Sequence, residues 1–414
     1  MKRLLAGLGA FALMAVLPAL GWAQEAAAPT IDAGNTAWVL VSSALVMLMT
    51  PGLAFFYAGM VSRKNVVSTL LQNYAALALV GVIWVVCGYS LVFTAGNNFI
   101  GDMSLFMLQG QTTEIYSAAS VPMLAFVAFQ MMFAIITPAL ITGSFAERVR
   151  FAPWLAIMGL WSLCVYAPVA HWVWGGGFLA DMGALDFAGG LVVHITAGFS
   201  GLVVAFMYGK RSTKATVSPP NDIPMIMLGA ALLWFGWFGF NAGSALTSGA
   251  LAAHAFMTTF IGGAAAMIAW MCVDWARDGK PTAAGGATGI VAGLVAITPA
   301  AGFVDLPAAF IIALAAGAFC NLIAHYVKRI SHLDDALDVF ACHGIGGVVG
   351  AVLTGAFATK AVNSAIADGN EGLFISGSST LFINNIIAVV CVAVFSFVMT
   401  MIIVKVVNIF VPIR

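Results

Sequence analysis

Charged side chains are scarce in this sequence. Its 414 residues include 16 Lys and Arg and 16 Asp and Glu, together 8% of the chain, whereas soluble domains carry roughly 25%. The mean hydropathy is +1.04, and apolar runs near 20 residues recur, as in membrane spans. This composition excludes a soluble enzyme and predicts an all-α polytopic membrane protein in contact with lipid. The formal net charge of zero gives no indication of a nucleic-acid partner.

Paired cysteines and catalytic motifs are also missing. The sequence has no CxxC pair, Walker loop, dinucleotide fingerprint or nucleophile motif, so we predict no enzymatic activity, cofactor, disulfide or metal site. The cysteines lie in apolar segments and are predicted to be buried free thiols; they are Cys87, Cys164, Cys272, Cys320, Cys342 and Cys391. Four histidines lack metal-ligand spacing and are assigned to the surface or to packing: His171, His254, His325 and His332.

The first 23 residues have the pattern of a cleaved secretory signal. Lys2 and Arg3 precede an apolar stretch, and small residues lead to an expected cleavage site after Ala23. An uncleaved first span is the alternative, and Pro18 argues against it. The expected domains are a signal peptide at 1–23, a membrane domain at 24–409 and a short cytoplasmic end at 410–414.

Eleven apolar segments follow the signal. The eighth is short, and the eleventh is longer than a bilayer needs, so we expect it to tilt or project. The predicted spans are 37–60, 66–94, 122–145, 151–171, 187–208, 224–242, 251–275, 285–299, 306–328, 338–358 and 376–409.

Basic residues follow the odd-numbered spans. The connections after the even spans carry one base, Lys360, together with several acids. The positive-inside rule therefore predicts an N-terminus outside and a C-terminus in the cytoplasm. The bases after the odd spans are Arg63, Lys64, Arg148, Arg150, Lys210, Arg211, Lys214, Arg277, Lys280, Lys328 and Arg329, with Lys405 and Arg414 at the end of the chain.

An internal repeat surrounds two histidines. Asp186 precedes His194 by eight residues, and Asp335 precedes His343 by eight, in spans five and ten. Each histidine shares a face with small residues, which allow membrane helices to approach closely. Two five-span halves of inverted topology, with a site at their interface, would produce this pattern. The alternative is that each histidine bonds to a neighbouring helix, but ionisable groups at membrane depth usually line a pathway.

The sequence resembles the ammonium transporter family (Amt/Mep/Rh), in particular its bacterial Amt branch. The resemblance covers essentially the whole mature chain. It rests on TPGLAFFYAGMVSRKNV (50–66), FQMMFA (129–134), AERVRF (146–151), AHWVWGGGFLA (170–180), GALDFAGGLVVHI (183–195), GWFGFNAGSA (236–245), TPAAGF (298–303) and DVFACHGIGG (338–347). It implies eleven helices, an inverted repeat, a homotrimer with one pore per subunit, and a place in the bacterial inner membrane.

The resemblance implies transport of ammonium or ammonia, and of methylammonium. Trp174, Phe133 and Ser244 would form an outer cation site, and Phe133 and Phe240 a gate. His194 and His343 would line the pore, where we expect ammonia to cross while the pair relays the proton. The alternatives are an ammonium sensor that scarcely conducts and an Rh-type pore for neutral gas.

Asp186 and Asp335 are expected to act structurally and electrostatically. Aspartate is favoured at helix N-caps, so we expect Asp186 to cap span five and secondarily to add negative potential near the outer site. Asp335 would cap span ten as its counterpart.

Two features depart from the family pattern. Ala58 replaces a glycine in FYAG, and the sequence ends at VPIR, where family members usually continue into a cytoplasmic tail. Because that tail supports regulation by PII-type signalling proteins, a PII partner stays open.

Overall fold

The computed structural model describes residues 30–211, 219–330 and 333–413. The expected signal peptide, His332 and Arg414 lie outside these residues. Within them, ten helices are long and apolar enough to cross a membrane, and a shorter apolar helix makes an eleventh. The predicted helical architecture is therefore confirmed.

The helices follow the predicted order. They are α1 (Ala33–Met60), α2 (Arg63–Phe93), α3 (Met123–Ile141), α4 (Phe151–Asp181), α5 (Gly190–Tyr208), α6 (Ile223–Gly243), α7 (Ala250–Asp278), α8 (Ala283–Ile297), α9 (Leu306–Val327), α10 (Phe340–Phe357) and α11 (Thr380–Phe410). A two-stranded antiparallel hairpin, β1 (Ile115–Tyr116) and β2 (Val121–Pro122), lies between α2 and α3. As predicted, α8 is short, with 15 residues, and α11 is long, with 31.

Local sequence explains where several helices begin. The side chains of Asp32, Asp222, Thr282 and Asp305 each accept a hydrogen bond from the backbone N–H three residues ahead, which satisfies a donor that the first turn leaves free. Proline follows Asp222 and Asp305 within the first two helical positions, where its missing N–H costs nothing.

The end of α4 differs most from its prediction. The sequence suggested 171, but the regular helix continues to Trp174, and a last turn, Phe178–Asp181, follows after Gly175–Gly177. Gly176 has φ +85, a backbone conformation that favours glycine. The glycine run thus forms a tight turn at the end of the span.

Two pairs of equivalent helices from the two halves pack on each other, as expected for helices next to a pseudo-two-fold axis. α1 runs along α6, and α5 meets α10. At the second crossing the backbones nearly touch, because a Cβ built on Gly198 would lie 2.1 Å from the Gly344 nitrogen. The small-residue faces therefore bring the two histidine-bearing helices together.

The outer surface is apolar where helices face the bilayer. Phe235, Ile268 and Phe319 are among the exposed large side chains. Cys272, predicted to be buried, is exposed, because α7 turns only one face to its neighbours. Cys320 and Cys342 are buried, and the other three thiols are half-buried.

The bundle has two ends. We call the end reached by the C-termini of α2, α4 and α6 the vestibule face. The opposite end, reached by the C-termini of α3, α5, α7 and α9, is the charged face.

Candidate functional site

An open cavity of about 460 Å³ indents the vestibule face. Its lining includes Phe133, Trp174, Asp186 and Ser244, which come from α3, α4, the α4–α5 connection and the end of α6. The structure therefore brings all three predicted cation-site residues to one cavity.

Trp174 presents ring surface to this cavity. Its indole N–H donates to the Asp186 carbonyl oxygen at 3.0 Å, so the polar edge is already occupied. The ring meets Phe133 edge-on, with centroids 5.9 Å apart. A tryptophan face exposed in this way attracts cations.

Ser244 presents acceptor capacity. Its hydroxyl donates to the Phe240 carbonyl oxygen at 2.8 Å, one helical turn earlier. A hydroxyl has one donor hydrogen and two lone pairs, so the lone pairs stay available to an N–H donor in the cavity.

Phe133 and Phe240 close the bottom of the cavity. Their centroids are 4.3 Å apart and their planes are tilted by 38°. Both side chains are buried. The pair therefore separates the vestibule from the space behind it.

A narrow apolar lumen lies behind the two rings. Its free space is about 10 Å³, about the room that one water molecule needs. Aliphatic side chains from α1, α3, α5, α6 and α8 surround it. Among the described residues, no charged side chain contributes to the lining, and its polar groups are His194, His343 and the Trp237 indole. That indole donates to Thr298 at 2.9 Å. Because an indole is a donor only, the two imidazoles are the titratable groups of this lining.

The two imidazoles are joined directly. The Nδ1 atoms of His194 and His343 are 3.2 Å apart, and the ring planes differ by 25°. The contact needs one donor and one acceptor, so one Nδ1 carries hydrogen and the other does not. Nε2 of His194 has no protein hydrogen-bond partner within the described chain. One proton thus lies in the bridge between the rings, and Nε2 of His194 lies free beside it.

Both histidines lie in π-helical segments, which the sequence reasoning missed. Gly190–Ile195 opens α5, and Phe340–Ile345 opens α10. π-helical turns are rare and often occur at functional sites. Their equivalent positions in the two halves reinforce the repeat, and two further π-helical segments, Trp84–Gly88 and Ser162–Tyr166, lie in α2 and α4.

Asp186 organises the start of α5. Its carboxylate accepts hydrogen bonds from the N–H groups of Gly189, Gly190, Leu191 and Val192 at 2.7–3.2 Å. These four donors would otherwise be buried without partners.

Asp335 is the weaker counterpart. It accepts from Phe340 N at 2.7 Å, and its other oxygen has no partner among the described residues. Burial, together with the nearby Asp338, raises the pKa of Asp335 to about 6.

An ion-pair cluster at the charged face was also missed. Arg211 binds Asp334 at 2.9 and 3.0 Å and Glu147 at 3.4 Å. Burial alone would raise the pKa of Glu147, but bonds from Ser62 and Asn65 and the Arg211 charge hold it below its usual value. For Asp334, too, burial is outweighed, and hydrogen bonds from Arg211 lower the pKa. The partners lie on three loops far apart in sequence, so no local motif indicates the cluster.

The fold and site define a class: a polytopic helical membrane protein with an aromatic vestibule above a narrow lumen that contains two histidines. The Ammonium Transporter Family model matches residues 37–414, and the chain belongs to that family. The resemblance seen in the sequence is thus confirmed.

Relatives of known sequence or structure match this chain over nearly its whole length. The ammonium transporter of Bacillus subtilis (strain 168) is 48% identical over 383 residues, covering 92% of this chain and 93% of that protein. The crystal structure of Saccharomyces cerevisiae Mep2 superposes with a TM-score of 0.85 at 37% identity, covering 93% of this chain and 90% of that one. A structure described as a sensor Amt protein superposes with a TM-score of 0.84 at 27% identity, covering 92% and 94%.

Proposed function

We propose that this protein moves ammonium across the membrane by binding the cation in the vestibule, removing its proton near the phenylalanine gate and passing ammonia through the lumen. The observation that carries the proposal is the joined histidine pair in an otherwise apolar lumen, directly behind the aromatic gate. Membership of the family supports ammonium as the substrate, and we expect methylammonium to follow the same path as its analogue. The activity is transport rather than catalysis.

The lumen is unsuited to a bare ion. Moving an ion of this size from water into a low-dielectric interior costs of the order of 20 kcal/mol in the Born estimate. Within the part of the chain that the structure describes, no carboxylate lines the lumen to offset that cost. Ammonia is neutral, so removal of one proton takes away most of the barrier.

The vestibule is suited to the ion. The Trp174 face would contribute about 0.5–2 kcal/mol through the cation–π interaction, and the lone pairs of Ser244 would accept an N–H of ammonium. Potassium carries the same single positive charge but has no N–H to donate, so hydrogen bonding to the serine favours ammonium.

The histidine pair would take over the proton. Ammonium gives ammonia and a proton, and a bare ring nitrogen of the pair accepts the proton as the N–H bond of ammonium breaks. A second proton then leaves the far ring, and the Nδ1–H···Nδ1 bond reverses its direction. Once both rings have returned to their starting tautomers, the cycle is complete and has carried one ammonia and one proton, which is one net charge.

We further propose that the vestibule face lies outside the cell and the charged face in the cytoplasm of a bacterial inner membrane. The excess of bases after odd-numbered spans supports this orientation. A homotrimer follows from the family pattern alone and stays a prediction, and a PII-type partner stays open. The cavity of about 370 Å³ at the charged face is where we expect ammonia to leave.

The test is the current on solid-supported membranes that carry the purified protein, after a jump in ammonium concentration. We expect a saturable current that potassium does not produce and that His194→Ala and His343→Ala both lose. His254→Ala is the matched control, because that histidine lies outside the lumen. Methylammonium binding, measured on the same samples, shows that the variants are folded.

Two other outcomes would contradict the charge-coupled mechanism. Ammonia-driven pH changes without current would mean a passive ammonia channel. Binding without either signal would favour a sensor, the second candidate, which the similarity to a solved sensor Amt protein supports.

A further inference from the structure

Both ring nitrogens of His171 lie within hydrogen-bonding distance of a carbonyl oxygen, and a neutral ring can donate to only one of the two. The side chain is buried, with 1% of its surface exposed. Nδ1 lies 2.7 Å from the carbonyl oxygen of Val92, and Nε2 lies 2.7 Å from the carbonyl oxygen of Asn97. A carbonyl oxygen only accepts, and a neutral imidazole has one N–H. In a neutral ring, therefore, one of these contacts would set a nitrogen lone pair against an oxygen lone pair.

We propose that His171 is an imidazolium ion, and that its two charged hydrogen bonds position the turn that carries Trp174. Charge-assisted bonds of this kind are shorter and about twice as strong as neutral ones, in keeping with the two 2.7 Å distances.

The surroundings favour a positive ring. His171 lies in the last turn of the α4 helical segment Ala167–Trp174. Val92 lies in the last turn of α2, and its carbonyl belongs to the end that has no further helical N–H partner. Helix C-termini carry partial negative charge and stabilise nearby cations. Two such ends meet at this ring.

Among the described residues, no charged side chain contacts the ring and takes over the role of these helix dipoles. The ionisable residues near the ring on the packed elements include Tyr89 and Asp102 on the α2 side and Asp186 in the α4–α5 connection. Tyr166 and Asp181 lie in α4 itself, and His194 lies in the opening of α5. Asp102 accepts from Ser104 N at 2.9 Å, and Asp186 accepts from the start of α5. Among the described residues, none of these forms an ion pair or hydrogen bond with His171. The charge of the ring is therefore set by backbone oxygens.

The ring is tied to the Trp174 turn through main-chain atoms. The segment 97–99 binds the end of α4 at three points: Asn97 O to His171, Phe99 O to the Trp172 indole at 2.8 Å, and Asn98 O to Phe178 N at 3.2 Å. The carbonyl of His171 itself accepts from Gly175 N and Gly177 N, each at 3.0 Å. Loss of the ring charge would weaken the hydrogen bonds that hold the turn after Trp174. The effect of that change on substrate binding rests on the proposed role of Trp174.

His254 offers an internal comparison. Its Nε2 lies 2.8 Å from the Val304 carbonyl oxygen, and Nδ1 has no such contact within the described chain. A neutral tautomer satisfies that single bond, so His254 need not be charged.

The charge is tested by solid-state NMR of the protein in bilayers with labelled histidine and tryptophan. His171–Trp172 is the only His–Trp pair in the sequence, so the double label assigns its ring without a substitution. We expect two protonated ring nitrogens for His171 at neutral pH and one for His254. A bare nitrogen on His171 at neutral pH would overturn the proposal, whatever the protein transports.

The positioning role is tested by methylammonium binding. His171→Gln keeps an N–H donor but no charge, and we expect about tenfold weaker binding, with His254→Gln unchanged. Unchanged affinity in His171→Gln would refute the positioning role. If this variant does not reach the membrane, the wild-type protein supplies the test: its affinity must be lower in any sample in which NMR shows only one protonated ring nitrogen on His171. An affinity that is the same whether one or both ring nitrogens are protonated would contradict the proposal.

Discussion

The contact between Gly198 and Gly344 gives the sharpest test of how the histidine pair is held. A Cβ added at Gly198 would lie 2.1 Å from the Gly344 nitrogen and 2.3 Å from its Cα. Both are backbone atoms, so no side chain can move aside. To reach ordinary contact at 3.4 Å, the two helices must separate by about 1.3 Å, the difference between 3.4 and 2.1 Å.

Such a separation would break the pair. The Nδ1 atoms are 3.2 Å apart, and His343 is the residue next to Gly344. A further separation of this size exceeds the range of a hydrogen bond. Overpacking of this kind costs about 1–3 kcal/mol, and a 1 Å misplacement of reacting groups can reduce a rate about a hundredfold. We therefore expect Gly198→Ala to lose stability and to lose at least nine-tenths of the ammonium current, a reduction of about tenfold or more, up to about a hundredfold.

Gly159→Ala is the matched control. It also adds a methyl group to a membrane helix, but the nearest atoms are side-chain carbons of Ile83 and Leu79 at 3.6 and 3.8 Å. Alanine should there stabilise the helix by up to about 1 kcal/mol. Thermal unfolding in detergent and currents on supported membranes compare the two variants. Equal melting temperatures and equal currents for both would refute the reasoning.

Three further changes have expected outcomes. Ser244→Ala should weaken ammonium binding about three- to tenfold, since one hydrogen bond is worth about 0.5–1.5 kcal/mol net; titration calorimetry that shows no change would remove the serine from the site. Arg211→Met should destabilise the protein by about 3–5 kcal/mol at neutral pH. The pKa values of Glu147 and Asp334 are lowered in the fold, so the stability that these two carboxylates contribute is present at neutral pH and lost on acidification. The difference in melting temperature between wild type and variant must therefore shrink as the pH falls. Asp335→Asn should remove a pH dependence of stability that has the opposite sign. The pKa of the wild-type carboxyl is raised to about 6, so the wild-type protein loses stability as the pH rises from about 4 through 6. Melting temperatures with the same pH dependence in the variant and the wild type would contradict this.

The sequence predicts the spans well because hydropathy acts locally. Apolar runs and loop charges mark all eleven helices, whereas their ends depend on turns such as Gly175–Gly177, whose geometry hydropathy does not encode. The D-x7-H repeat indicates that His194 and His343 belong together, but their distance depends on the Gly198 crossing.

Other parts of the site depend on contacts distant in sequence. Arg211 and Asp334 are 123 residues apart, and His171 meets a carbonyl 79 residues away. No short stretch of sequence contains both partners, so the sequence alone assigns His171 to the surface or to packing. The roles of Trp174 and Ser244 came from the family resemblance; the structure adds that their donor hydrogens are already engaged.

The π-helical openings of α5 and α10 set the angular phase of both helices. A π turn accommodates one residue more than an α turn, and one residue corresponds to about 100° of rotation in an α-helix. Everything after Ile195 and Ile345 is therefore rotated relative to the helix start. This offset lets each helix direct its imidazole into the lumen while its glycines meet the partner helix, so removal of a single residue from either opening would turn one of these surfaces away from its target.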